Sequence, residues 1–235
     1  MANEQKYTNK GDRILIAPFE VALHNKPGDC WVSFLGKVFN LTKLIEEYKK
    51  TNLVKPILAF AGKDISHWFD ESSGDIQYFI NPITGIRTPY CPNGPIPHVA
   101  LPTPSSNWTP VDTPWWKDDA KYRIGDLSKR VRSISVINMV IGTTVTLNVC
   151  CEDTINRIMD RYSIFNKNTS SYSWRHNNEN MDLAKSLEEN GAVDERDDYT
   201  HANLPQTLYT PTIYTYYNDD MKYYLDDSSD EGDIP

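Results

Sequence analysis

Nine of the chain's 15 prolines fall between Pro82 and Pro114. Proline has no amide hydrogen and fixes φ, so no helix or sheet interior can run through this stretch. Regular elements must lie on either side of it. The same region carries Tyr90, Trp108, Trp115 and Trp116, large apolar side chains that flexible spacers rarely hold. It reads as an extended strap lying on a surface. The chain divides accordingly into an N-terminal arm (1–15), a first domain (16–81), a connector (82–128), a second domain (129–218) and an acidic tail (219–235).

At 235 residues, the chain can bury two modest cores. Its net charge of −8 argues against general nucleic-acid binding, which needs a basic surface to neutralise phosphates. The acid is concentrated late, with 13 acidic against three basic residues over 184–235. Such a segment is usually solvated or faces a partner. Cys30, Cys91, Cys150 and Cys151 form no CxxC pair, so neither a disulfide scaffold nor a zinc site is expected. No apolar run approaches the ~18 residues of a membrane span, and MANEQKYTNKGDR has no hydrophobic stretch of the signal-peptide kind. The expectation is a soluble intracellular protein with no membrane association. A P-loop, GxGxxG and GxSxG are all missing, and paired acids such as Glu46-Glu47 and Glu188-Glu189 usually mark solvated faces. A non-enzymatic role is therefore expected.

Residues 14–80 alternate short strand-like and helix-like patterns. Beyond Arg130 the pattern is clearer. Ile134, Val136 and Val140 share one phase, and Val145, Leu147 and Val149 another, on either side of a turn at Gly142; this spacing predicts a hairpin. Ile155, Ile158, Met159 and Tyr162 recur at helical spacing. SYSWRH and TIYTYYND are further strand candidates. The fold class is α+β.

Particular residues then carry a family resemblance. VALHNKPGDCWVSFLGKVFNLTKLIEEY resembles the opening of a cytochrome b5 domain: His24-Asn25 matches its HN turn, Trp31 its strand tryptophan, and Val38–Thr42 its V-Y-D-L-T strand. AFAGKDISHWFD resembles the later A-G-x-D segment and places Phe69 at a haem-packing position. The iron site does not carry over. The family's H-P-G-G becomes Tyr48-Lys49-Lys50-Thr51, and its second histidine falls near Gly74, so both axial histidines are missing. Tyrosinate can ligate ferric haem. Tyr48 thus has two readings, a single haem ligand or a structural tyrosine at a helix end. His67 matches an outward-facing position of the family helix, and His98 lies among the prolines with no assigned role.

The second domain resembles a ubiquitin-like β-grasp, with SLEENGAVDE similar to that fold's segment before the last strand. The architecture implied is a cytochrome b5-like domain, a proline-rich connector and a ubiquitin-like domain. Taken whole, ISHWFD, PWW and SLEENG make the chain similar to an axonemal family of cytochrome b5-domain proteins associated with the radial spokes of motile cilia. The resemblance implies a cytoplasmic, ciliary or flagellar location and a structural role in a large hetero-complex that controls beating. Its partners would be radial spoke proteins, met through Trp108, Trp115 and Trp116. The alternative it implies is a haem-binding redox sensor.

Overall fold

The structure, a computed structural model, describes residues 14–99 and 112–218. The chain forms two compact units, Met1–Lys129 and Arg130–Pro235. Trp108 and the acidic tail lie outside the described residues, as does most of the N-terminal arm.

The first unit contains, in chain order, β1 (Leu15–Ile16), α1 (Pro18–Leu23), β2 (Asn25–Lys26), β3 (Asp29–Phe34), β4 (Lys37–Asn40), α2 (Thr42–Tyr48), α3 (Lys55–Ala59), β5 (Tyr78–Ile80), β6 (Arg87–Pro89), α4 (Asp119–Tyr122) and β7 (Arg123–Leu127). Its main sheet has the order β1-β7-β4-β3-β2. Only the β1–β7 pair is parallel, and β5 with β6 makes a separate two-stranded ribbon. The β3–β4 connection puts Leu35 and Gly36 at positive φ, as a two-residue hairpin turn requires. α1 begins with Pro18 at its first position, where the missing N–H is harmless. The Glu20 carboxylate accepts from the Ala17 amide at 2.7 Å and completes that end. The GKD corner needs its glycine. Gly62 has φ +76, and a Cβ there would lie 3.1 Å from the Ala22 carbonyl.

The first domain does not end at residue 81. β7 lies between β1 and β4 in the middle of the sheet, so the segment expected to be a connector completes the first unit. The five residues RIGDL are too short and too evenly half-buried to show a strand period. Gly125 permits the fit, because a Cβ there would meet the Ile14 carbonyl oxygen at 2.4 Å.

The second unit contains β8 (Val131–Asn138), β9 (Thr143–Cys150), α5 (Ile155–Tyr162), β10 (Tyr172–His176), β11 (Glu179–Asn180), α6 (Arg196–His201) and β12 (Thr212–Tyr217). Its sheet runs β11-β10-β12-β8-β9, with β12 parallel to β8 and antiparallel to β10. Ile134 and Val136 from β8, and Leu147 and Val149 from β9, meet Ile155, Ile158, Met159 and Tyr162 of α5 in one core. Thr154 starts α5 by accepting from the Arg157 amide, an N-cap bond worth about 1 kcal/mol. Val140 departs from its expected inward phase. It sits in the turn between β8 and β9 and is 59% exposed, because pairing stops at Asn138.

Candidate functional site

α2 ends at Tyr48, whose carbonyl accepts from both the Thr51 amide and the Thr51 hydroxyl, at 2.9 and 2.8 Å. The side chain is half-buried against the first unit's core. Its ring meets His98 edge-on, with centroids 5.8 Å apart. Burial, then the Glu47 carboxylate and Tyr122, push the phenol's pKa up. That opposes formation of a tyrosinate.

His98 occupies a left-handed backbone conformation, φ +68, that a residue with a Cβ adopts only under constraint. The constraint is visible: His98 Nδ1 accepts from the Trp115 amide at 2.9 Å. Burial lowers the imidazole pKa, against a raising contribution from Glu47, and so favours the neutral ring that this acceptor role needs. His98 thus clips two parts of the strap together beside Tyr48. The sequence assigned it no role, since one histidine among prolines has no spacing to betray its partner.

Phe69 is 1% exposed. Phe34 stacks on it at 4.3 Å, and Trp115 and Trp116 approach it at 6.0 and 6.2 Å. The two tryptophans meet each other at 5.5 Å, nearly perpendicular, the edge-to-face geometry that aromatic pairs favour. Ile96 joins the same core, and Val99 packs on its edge. Asp75 tethers this layer. It accepts from Trp116 Nε1 at 2.9 Å and from Lys117 Nζ at 2.5 Å. Burial alone would raise the Asp75 carboxyl, but the Lys117 ammonium and the Trp116 indole outweigh it and the net shift is downward.

Trp115 and Trp116 were expected to anchor a partner. They are instead 0% and 6% exposed in their own unit's core, because the strap's aromatic side chains find a surface within the chain. Gly74, where a second axial histidine would fall, lies at φ +64 in a turn. That turn is held by the Asp70 carboxylate, which accepts from the Ser72 and Ser73 amides. His67 is exposed and packs on Phe60 and Trp68.

Comparison with known proteins places these features in context. The family model described as "Cytochrome b5-like Heme/Steroid binding domain" matches residues 18–128, the interval that the fold closes with β7. Cytochrome b5 domain-containing protein 1 of Mus musculus is 42% identical over 210 residues, covering 89% of this chain and 92% of that protein. The Homo sapiens protein of the same name is 41% identical over the same coverage. Cytochrome b5 isoform B of Arabidopsis thaliana is 34% identical over 77 residues, 30% of this chain and 56% of that protein.

The family description raises haem, and the residues present do not fit it as folded. The two positions expected at a haem, Tyr48 and Phe69, face the chain's own His98, Trp115 and Trp116. The phenol is shifted away from ionisation. Gly74 offers no ligand. The coverage of the mouse and human relatives, together with the b5-like first unit, shows that the chain belongs to the cytochrome b5 domain-containing protein 1 family.

Proposed function

We propose that this chain is a non-enzymatic interaction subunit of the ciliary axoneme, associated with radial spokes and contributing to control of beating. The observation that carries the interaction part is the β5–β6 hairpin. Tyr78, Phe79, Ile80, Ile83 and Ile86 are all exposed on it, Ile83 at 92%. Exposed apolar side chains gathered on one two-stranded ribbon fit a surface that another protein covers. Trp115 and Trp116 pack on Phe69, the position a haem would face, and so close the slot a haem would need; this agrees with the reading, since it leaves the domain's outer surface to do the work. The axonemal part rests on the sequence resemblance.

We read the second unit as a ubiquitin-like β-grasp. An antiparallel β8–β9 hairpin, a helix, and a last strand running parallel to the first between β8 and β10 support that reading. Its role would be binding.

The test is to tag the chain in motile ciliated cells and follow it through axoneme extraction and proximity labelling. Recovery with radial spoke proteins is expected. A protein that stays in the cell body and labels none of them is not an axonemal subunit. The redox-sensor alternative draws on the family description and needs the strap to leave Phe69.

A further inference from the structure

The second unit contains an open cleft of about 280 Å³ that has no part in the b5-like site. Its wall includes Arg132, Ser133, Arg196, Tyr199, Thr207 and Thr210. Arg132 is the unusual member. It falls in the inward-facing row of β8 with Ile134 and Val136, pairs across the sheet with Val149, and is 4% exposed. An apolar side chain would suit that position. Instead, the Arg132 Nε and Nη1 nitrogens are buried with no hydrogen-bond partner.

Glu188, the Cys151 thiol, Asp194 and Arg196 all act on Arg132 electrostatically, but none hydrogen-bonds its Nε or Nη1, and several of the nearby charges are paired with one another. Asp194 takes a two-point contact from Arg196, Nε to Oδ1 at 2.8 Å and Nη2 to Oδ2 at 2.7 Å, and a further contact from Arg130 Nε at 3.2 Å. Asp197 takes Arg130. The Glu195 carboxylate accepts from the Tyr199 hydroxyl at 2.8 Å. Arg196 also donates to the Val131 carbonyl. A buried guanidinium whose fork meets no acceptor is costly unless something supplies one, and a guanidinium fork matches the paired oxygens of a carboxylate or phosphate.

We propose that this cleft binds a small ligand through its oxyanion, a carboxylate or phosphate seated on Arg132. At about 280 Å³ the cleft lies just below the usual range of ligand pockets and suits a small anion rather than a polymer. The site lies wholly in the second unit and is independent of the axonemal reading.

The test is nitrogen-detected NMR on the full chain, following the Arg132 Nε resonance while inorganic phosphate or succinate is added, with potassium chloride at matched ionic strength as control. A saturable shift with phosphate assigns a phosphate-bearing ligand, and one with succinate alone assigns a carboxylate. Arg132→Met should weaken the binding at least tenfold, read by thermal shift, while folding normally, since it removes an uncompensated charge. Shifts no larger than the chloride control overturn the proposal, as does undiminished binding by a folded Arg132→Met. If that variant does not fold, the Nε resonance of the unaltered chain still decides.

Discussion

Trp115 meets Phe34 and Phe69 edge-on and is fully buried, so truncating it removes the centre of an aromatic layer. Trp115→Ala is expected to destabilise the first unit by about 3–5 kcal/mol, the range for large aromatic-to-alanine changes in cores. Chemical denaturation followed by circular dichroism measures this, and a loss below about 1 kcal/mol would mean the strap does not pack as described. Asp75 gives a second prediction, with a sign fixed by its lowered carboxyl. A group whose folded pKa lies below its ordinary 3.8 adds stability fully above that value and loses it as pH falls through the folded one. Acid titration of tryptophan fluorescence should therefore show a transition below about pH 4, and Asp75→Asn should abolish it. Family motifs fix where Tyr48 and Phe69 fall in the chain, though not what packs against them. The destination of Trp115 was not, because proline-rich composition states what a segment cannot form and is silent on which surface it covers. His98 was missed for the related reason that its partner is an amide, which no side-chain pattern reveals.

Among the elements, those with long and regular periods were readable. Eight residues of alternating burial in β8, six (144–149) in β9 and a four-point apolar face on α5 give enough repeats for period 2 or 3.6 to stand out. β7 has five residues with no alternation, and its neighbours β1 and β4 lie far back in sequence, so its strand character comes from tertiary pairing. That pairing is testable at Gly125. A methyl group there would sit 2.4 Å from the Ile14 carbonyl oxygen, and β1 would have to move. Gly125→Ala is expected to cost about 1–3 kcal/mol, as overpacking does. Proteolysis should then cut the first unit near β1 sooner than in the unaltered chain. An unchanged digestion pattern and melting point would argue against β7 lying between β1 and β4.

For the molecule as a whole, the proposed role leaves assembly to the outside of the first unit, while its strap packs inward. Replacing Ile80 and Ile83 by aspartate should leave stability within about 0.5 kcal/mol, as for most surface changes, yet, on the proposed axonemal role, reduce co-extraction with radial spoke proteins. Both residues are highly exposed, so retained co-extraction would remove the hairpin from the interface. The family relationship was legible across most of the chain, because ISHWFD, PWW and SLEENG are idiosyncratic strings. Closure of the slot was not, because it depends on which side chains fill a volume. Closure is the central claim, and titration of hemin into the purified chain, followed by visible absorption, tests it most directly. A closed slot predicts spectra that remain those of free hemin, with no saturation at one equivalent. A saturable one-to-one ferric spectrum that disappears in Tyr48→Phe would contradict it, by requiring that Trp115 and Trp116 leave Phe69 and that Tyr48 hold the iron.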